Sequence, residues 1–253
     1  MLNNDKIVVV GAGGLLGANI VAAALNSGAK VIAVDINLNS MNSALIENKI
    51  ESDGELLKLY SLDITDEKAV INFFDTQEGI TGAVNCSYPR NKSYGSDFFD
   101  VSLDSFNENL SLHLGSAFLF SQQCAAYFKK NKHKMSLVNI SSVYGLIAPK
   151  FDVYKGTAMT MPVEYAAIKS AITHLTRYIS VYMKDSNFRI NSVSPGGILN
   201  GQPEEFLLNY KEYTFGKGML DVKDITGTIL FLLSEQSKYI NGQNIVVDDG
   251  FTL

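Results

Sequence analysis

The chain has 253 residues, of which 46% are hydrophobic and 19% charged, so it can bury the core of one large α/β domain. Its net charge of −5 and isoelectric point near 5.2 exclude the basic surface that nucleic acids or anionic membranes need for binding. We therefore expect a small-molecule substrate, with neither a nucleic acid nor a membrane as a partner.

Two further features narrow the class of protein. The N-terminal stretch MLNNDKIVVVGAGG lacks a basic segment followed by an apolar run and a cleavage site, and no window reaches the roughly 18 apolar residues of a membrane span. This favours a cytoplasmic protein. The two cysteines, Cys86 and Cys124, have no Cys-x-x-Cys or Cys/His ligand spacing, and the three histidines are scattered, so we predict no disulfide and no metal site.

Short β-branched runs alternate with longer helical patterns in the first third of the chain. The runs KIVVV, KVIAVD, LLKLYSLD and ITGAVN are predicted to be strands, separated by helical patterns at 14–28, 41–52 and 66–77. This alternation indicates parallel strands joined by crossover helices. Because the strands are continuously apolar, we expect helices on both faces of the sheet.

The remainder of the chain continues the same alternation. Helices are predicted at roughly 104–131 and 161–183 and in DVKDITGTILFLLS, with strands SLVNISS, FRINSVSP and QNIVVDDG. No repeat or linker divides the chain, so residues 1–253 are predicted to form a single domain with a Rossmann-type, doubly wound, seven-stranded and mostly parallel sheet. The long loops 143–162 and 196–220 are expected to cover a binding site.

The segment VVVGAGGLLGANI places four glycines between the first strand and the first helix. Gly11 permits a tight turn, and Gly13 and Gly14 let the backbone approach a pyrophosphate. Gly17 lets the helix pack closely on the sheet, and the helix N-terminus attracts phosphate charge. The segment is therefore typical of a dinucleotide site, although turns use glycine for other reasons too.

Acidic and amide side chains end the second, third and fourth strands. Asp35 closes the second strand 24 positions after Gly11, where a carboxylate can accept hydrogen bonds from the ribose hydroxyls of adenosine and repel a 2′-phosphate. This predicts NAD(H) rather than NADP(H), unless Asp35 merely caps the next segment. Asp63 and Asn85 share the same sheet edge, and Asp63 could instead begin a helical turn.

A serine, a tyrosine and a lysine form the candidate reacting group. Tyr165 follows Ser142 by 23 residues and precedes Lys169 by four, so the tyrosine and the lysine share one helix face. A neighbouring ammonium lowers the pKa of a phenol from its usual value of about 10, which makes proton transfer feasible. The pair alone could equally be an accident of helical spacing.

Taken together, VGAGGLLG, VD, LDITD, VNCS, VNISS, YAAIK and SVSPGGI resemble the short-chain dehydrogenase/reductase family over essentially the whole chain. The resemblance implies that Tyr165 is the general acid/base, Ser142 hydrogen-bonds the substrate oxygen, and Lys169 holds the nicotinamide ribose. It also implies a homodimer or homotetramer built through the helices at roughly 104–131 and 163–183. The implied cofactor residues are Gly11, Gly13, Gly14, Leu16, Gly17, Asp35, Asp63, Ile64, Asn85, Cys86, Tyr165, Lys169, Pro195, Gly196 and Ile198.

The chain departs from the family pattern at three places. Leu15 stands where the family usually has a glycine, and Asn85-Cys86-Ser87 replaces a more usual Asn-Ala-Gly-like sequence. His113 aligns with the family's asparagine, which holds a water in a proton relay. A histidine donates and accepts hydrogen bonds and titrates near neutrality, so His113 is a candidate catalytic residue, with simple packing between helices as the alternative.

Two loops are predicted to contact the substrate. The segment between Ser142 and Tyr165 is about ten residues longer than the resemblance implies and contains Asp152 and Tyr154, while the loop after the fourth strand contains Tyr88 and Arg90. Arginine suits phosphate or carboxylate groups, although both loops could simply be solvated. These loops and the chain's ending also resemble dehydrogenases encoded with bacterial flagellin-glycan and surface-sugar pathways.

The prediction is thus an NAD(H)-dependent oxidoreductase that interconverts a secondary alcohol and a ketone on a polar substrate. The narrower resemblance implies a sugar, a sugar phosphate or a nucleotide-activated sugar from surface-glycan biosynthesis. Reduction of a 3-oxoacyl thioester is the alternative within the same class. A non-catalytic dinucleotide-sensing module is the alternative from a different class.

Overall fold

A computed structural model describes residues 1–50 and 55–253. The described residues contain a seven-stranded sheet in the order β3-β2-β1-β4-β5-β6-β7, and every pairing between neighbouring strands is parallel. The strands are β1 (Lys6–Val10), β2 (Lys30–Asp35), β3 (Leu57–Ser61), β4 (Gly82–Asn85), β5 (Met135–Ile140), β6 (Phe188–Pro195) and β7 (Asn244–Val247). The strand order reverses between β1 and β4, which is where doubly wound sheets bind ligands.

Helices connect these strands and cover the sheet. They are α1 (Leu15–Asn26), α2 (Leu38–Glu47), α3 (Glu67–Thr76), α4 (Leu103–Asn109), α5 (Ser116–Asn131), α6 (Val163–Met183), α7 (Glu204–Lys211) and α8 (Val222–Leu233). A π-helical turn, Leu110–Gly115, joins α4 to α5. Such turns often mark functional sites because they alter the helical hydrogen-bond ladder.

The core lies in two layers, one on each face of the sheet. Ile7 and Val9 of β1 pack with α1, α2 and α8, whereas Val8 and Val10 pack with α3, α5 and α6. Successive side chains of a strand point to opposite faces, so a strand between two helical layers must be apolar at every position. This explains why β1 shows no apolar–polar alternation.

The Rossmann-type doubly wound fold is confirmed, and the sheet is parallel throughout rather than mostly parallel. The helix expected over 104–131 is interrupted by the π-helical turn, and α7 forms inside the segment 196–220, where we predicted only a loop. The helix predicted at 41–52 runs instead over α2, capped by Asn37. Residues 51 and 52 of that prediction lie outside the described residues.

Gly17 makes the closest contact between the glycine loop and α1. A Cβ atom there would lie 2.1 Å from the carbonyl oxygen of Gly11, so Gly17→Ala must displace the loop or the helix. We expect the substitution to lower the free energy of unfolding by about 1–3 kcal/mol, measured by urea denaturation.

Gly227→Ala is the matched control, because Gly227 is exposed within α8 and its missing Cβ would meet open space. Helix propensity predicts that this change stabilises the protein by up to about 1 kcal/mol. Equal stabilities for the two variants would contradict the close contact at Gly17.

Candidate active site

The glycine loop runs from β1 into α1 directly over the end of β4. Gly11 adopts a φ of +78°, and a Cβ atom on it would lie 2.8 Å from the backbone of Cys86. Its N–H donates to the Val34 carbonyl at 2.9 Å. Apart from the buried Ala12, residues 11–14 of the loop carry no side chain, which leaves the backbone accessible beside the N-terminus of α1.

Asp35 joins the glycine loop to the end of β2. Its carboxylate accepts hydrogen bonds from the N–H groups of Gly13, at 2.8 Å, and Asn37, at 3.1 Å. Asn37, and not Asp35, caps α2 through the N–H groups of Asn39 and Ser40, while Asp35 holds the turn that precedes this helix. Asp35 lines a cavity of about 230 Å³ together with Ile36, Asp63 and Ile64.

Asp63 and Asn85 shape the loops after β3 and β4. Asp63 accepts hydrogen bonds from the N–H and hydroxyl of Thr65, at 2.9 and 2.7 Å, while Asp66 caps α3. Asn85 accepts from the N–H and hydroxyl of Ser87, at 3.0 and 2.6 Å. Both side chains thus hold backbone turns at the carboxyl edge of the sheet.

A second cavity, of about 430 Å³, lies next to the first. Ser87 and Tyr88 line both cavities, so together these form a groove along the carboxyl edge of the sheet. The larger cavity contains the three predicted catalytic residues, Ser142, Tyr165 and Lys169. Among the predicted cofactor residues it is also lined by Leu16, Cys86, Pro195, Gly196 and Ile198.

Tyr165 and Lys169 lie in the first two turns of α6, which begins after Pro162. Lys169 is buried, and its Nζ donates to the carbonyl of Ile140 at 2.9 Å and lies 5.6 Å from the centre of the Tyr165 ring. Burial lowers the pKa of Lys169 to about 8. Burial also raises the pKa of Tyr165, and the neighbouring Ser142 hydroxyl opposes that shift. The lysine is therefore mainly an ammonium at neutral pH and loses its charge above about pH 8.

Ser142 is held where β5 ends against α6. Its hydroxyl accepts the N–H of Tyr144 at 3.2 Å, and the preceding Ser141 donates to the carbonyl of Lys169 at 2.8 Å. A Cβ atom on Gly145 would lie 2.7 Å from the backbone of Lys169. This close contact brings the serine and the tyrosine–lysine pair into one cavity.

His113 lies in the π-helical turn, where it is buried with its ring edge-on to Tyr88 at 4.8 Å. The titration near neutrality that we expected for it is wrong. Burial lowers the pKa of His113 to about 2, and the charges of Lys169 and Arg90 act in the same direction. A catalytic role for His113 stays a prediction, and any such role has to use the neutral imidazole.

Comparisons with known proteins decide the family. A family model described as enoyl-(acyl carrier protein) reductase matches residues 11–252. The post-translational flagellin modification protein A of Campylobacter coli is 39% identical over 258 residues, with 100% of both chains covered.

The chain belongs to the short-chain dehydrogenase/reductase family.

More distant relatives agree with this assignment. A 7α-hydroxysteroid dehydrogenase of Bacteroides fragilis is 28% identical, covering 99% of this chain and 95% of its own. The crystal structure of a short-chain dehydrogenase from Leptospira borgpetersenii with bound NAD+ has a TM-score of 0.87 and 27% identity, covering 100% of this chain and 94% of its own. The protein is thus an oxidoreductase of this family.

Of the four predicted substrate residues of this short-chain dehydrogenase/reductase, two line the larger cavity and two do not. Tyr88 and Tyr154 line the larger cavity. Arg90 is exposed at its edge, with its guanidinium 5.1 Å from the centre of the Tyr88 ring. Asp152 lies outside the lining, exposed and paired with Lys155 at 2.7 Å. The long segment 143–162 therefore contributes Tyr144 and Tyr154, and not the carboxylate of Asp152, to the cavity.

Sequence reasoning missed much of the cavity wall that faces the predicted catalytic residues. The unpredicted helix α7 supplies Phe206 and Tyr210. Tyr210 accepts the N–H of Gly197 at 2.6 Å and stacks on Phe251 with 4.3 Å between ring centres. The aromatic content of the 196–220 segment was the available signal. The other unpredicted lining residues include Tyr144, Met159, Met161, Gln202 and Met219.

Cys86 lines the larger cavity of the dehydrogenase. Burial raises the pKa of Cys86 to about 12, although the charge of Lys169 lowers it in part. It therefore stays a neutral thiol at physiological pH and packs as a small apolar side chain.

The described residues contain neither a group of metal ligands nor a helix that could span a membrane. In residues 1–50 and 55–253, no three His, Cys, Asp or Glu side chains are grouped as metal ligands. Within the same ranges, every helix is too short or too polar to cross a bilayer.

Proposed function

We propose that the protein is an NAD(H)-dependent dehydrogenase that interconverts a secondary alcohol and a ketone on a polar, sugar-type substrate of surface-glycan biosynthesis. The observation that carries this proposal is the convergence of Ser142, Tyr165 and Lys169 in one cavity that adjoins the Asp35 cavity. The groove that the two cavities form contains residues suited to each part of a dinucleotide. Its glycine loop would take the pyrophosphate, Asp35 would take the adenosine ribose, and Tyr165 and Lys169 would flank the nicotinamide end. The bound dinucleotide supplies or accepts the hydride.

The protein's own residues move the proton. The Tyr165 hydroxyl donates a proton to the carbonyl oxygen during reduction and accepts it from the alcohol during oxidation. The nearby Lys169 ammonium favours the phenolate, and Ser142 holds the substrate oxygen by a hydrogen bond. Because burial lowers the pKa of Lys169 to about 8, this assistance is complete at neutral pH and is lost as the pH rises above about 8.

Support for NAD(H) over NADP(H) comes from the surroundings of Asp35. A 2′-phosphate bound in the smaller cavity would face this carboxylate, and the following residues, Ile36 to Ser40, supply no lysine or arginine. The NAD+-containing Leptospira structure is consistent with this choice.

Support for a sugar-type substrate comes from the cavity wall and from one relative. Apart from Lys169 the lining residues are uncharged, and they include five tyrosines and Gln202, which offer hydroxyl, amide and aromatic surfaces for a polyhydroxylated ring. The name of the Campylobacter coli relative refers to flagellin modification. A phosphate or nucleotide on the sugar would extend towards Arg90 at the edge. We also propose a cytoplasmic location, where free thiols such as Cys86 stay reduced.

One observation favours a second candidate, reduction of a 3-oxoacyl thioester. Met159, Met161 and Met219 line the same cavity and would suit an acyl chain. The matching family model is described as enoyl-(acyl carrier protein) reductase, a name that refers to an acyl thioester but to reduction of its C=C bond rather than of a ketone. A panel of sugars, sugar phosphates, nucleotide sugars and acyl thioesters, followed by NADH absorbance, separates the two candidates. Turnover of acyl thioesters alone would overturn the sugar proposal, and wild-type binding of NADH without turnover of any compound would favour the sensing module.

Tyr165→Phe tests the proton-transfer role. Removing the hydroxyl should lower kcat at least about 100-fold while NADH affinity, measured by fluorescence titration, stays within about twofold of wild type. Tyr239→Phe, at an exposed tyrosine outside the cavity, is the matched control and should leave kcat unchanged. If Tyr165→Phe kept most of its turnover, the assigned proton donor would be wrong.

Asp35→Asn tests the cofactor preference, because the amide oxygen can still accept the Gly13 N–H while the charge is lost. The ratio of kcat/KM for NADH to that for NADPH should fall at least about tenfold. Asp75→Asn, at an exposed carboxylate paired with Lys130, should leave the ratio unchanged. A wild-type enzyme that prefers NADPH would contradict the inference.

We also propose that the protein is a homodimer or homotetramer assembled through α5 and α6. Phe118, Tyr178, Val181 and Tyr182 are 48%, 62%, 78% and 68% exposed, and the first two line an apolar groove with Leu114. An apolar patch of this kind supports an interface.

Tyr178→Glu tests the proposed interface, because the variant would bury a negative charge there. The variant should halve the mass measured by light scattering, whereas Ile46→Glu, at an exposed apolar residue on α2, should not. A monomeric wild type, or a Tyr178→Glu variant of unchanged mass, would exclude this interface.

A further inference from the structure

Lys169 is a buried ammonium without a carboxylate partner. Among the ion pairs of the described residues, none includes Lys169, and its Nζ donates to the Ile140 carbonyl. The titratable groups around it are Cys86 and Tyr88 from the loop after β4, His113 from the π-helical turn, and Tyr165 from α6 itself. All four are neutral at physiological pH, so aromatic rings and a carbonyl replace a counter-ion.

The Tyr88 ring lies close to the Lys169 ammonium and to the rings of Tyr165 and His113. The centre of its ring lies 5.5 Å from the Lys169 Nζ, 5.8 Å from the Tyr165 ring at an interplanar angle of 79°, and 4.8 Å from the His113 ring at 86°. The electron-rich face of an aromatic ring attracts an ammonium, and the attraction is larger where water is excluded. Tyr88 is therefore placed to stabilise the charge of Lys169, as well as that of the exposed Arg90, whose guanidinium lies 5.1 Å from the same ring centre.

The position of Tyr88 is itself fixed. Its hydroxyl hydrogen-bonds to that of Tyr94, and the two rings meet edge to face at 5.6 Å. The loop is tied to α4 by two hydrogen bonds between Asn91 and Asn109, of 3.0 and 3.1 Å. Asn109 also donates to the buried Glu164 at 3.3 Å, the residue before Tyr165. The loop that carries the Tyr88 ring is thus anchored to α4 and, through Asn109, to the first turn of α6, which contains Tyr165.

We propose that Tyr88 is a positioning residue whose ring holds the Lys169 ammonium charged and directed at Tyr165, in place of a counter-ion. The proposal deepens the proposed function, because it takes Tyr165 and Lys169 as the proton-transfer pair. Loss of the ring leaves the ammonium less stable, so the lysine loses its proton at a lower pH. The phenol of Tyr165 then loses the assistance of the charge at that lower pH as well.

The test compares Tyr88→Leu, which removes the ring, with Tyr88→Phe, which keeps the ring and removes only the hydroxyl. Acetylation of Lys169 by acetic anhydride, followed by peptide mass spectrometry across the neutral to alkaline range, reports its titration without cofactor or substrate. Tyr88→Leu should lower the titration midpoint by about one pH unit, and Tyr88→Phe should leave it near the wild-type value. The alkaline limb of the kcat/KM profile should move in the same direction by a similar amount.

An unchanged midpoint in Tyr88→Leu, or an equal fall in Tyr88→Phe, would overturn the proposal. Circular dichroism checks that each variant is folded, and Tyr88→Met, which keeps much of the side-chain volume without an aromatic face, decides the question if Tyr88→Leu is not folded. The two failures are distinguishable. If wild type turned over no substrate but the midpoint still fell with loss of the ring, the proposed function would fail and the role of Tyr88 would stand.

Discussion

The candidate site is arranged around the buried ammonium group of Lys169, whose positive charge has to be stabilised inside the protein. Burial of the ammonium lowers its pKa to about 8, so the charge is retained at neutral pH although the group is removed from water. The Ile140 carbonyl, at the end of β5, accepts its hydrogen bond. The same strand end carries Ser142, so holding the lysine also places the serine.

Contacts between the end of β5 and the start of α6 also fix the backbone around these side chains. Ser141 donates to the Lys169 carbonyl and hydrogen-bonds with Thr173 at 2.8 Å, and Gly145 packs where a Cβ atom would meet the α6 backbone. The start of α6 therefore cannot move independently of the sheet. A rigid scaffold of this kind keeps a proton donor, its lysine and the serine in register.

The cavity wall depends on contacts between distant loops. Asn209 of α7 donates to the carbonyl of Lys155 at 3.1 Å, and Tyr154 packs edge to face on Phe206 at 5.2 Å. Near the C-terminus, the buried ring of Phe251 stacks on Tyr210. The segment 143–162 and α7 thus pack against each other and together form one wall of the cavity that contains Ser142, Tyr165 and Lys169.

Much of the fold and part of the site could be predicted from local sequence. Continuous apolar runs indicate strands buried on both faces, and the glycine loop, Asp35 and the Tyr165–Lys169 spacing are short-range patterns with direct physical meaning. Helix α7 was missed because it is short and only partly apolar. The π-helical turn was missed because its segment has the same helical periodicity as its neighbours.

Tertiary packing decided the properties that depend on residues far apart in the chain. The sequence alone sufficed for the order of the seven strands, for the helices other than α7 and for the polar residues at the strand ends, because periodicity and turn chemistry act between near neighbours. It could not indicate that His113 is buried and neutral, that Asp152 lies outside the cavity, or that Tyr88 faces Lys169. A pKa and a cation–π contact depend on which distant loops surround a group, and only the folded chain brings those loops together.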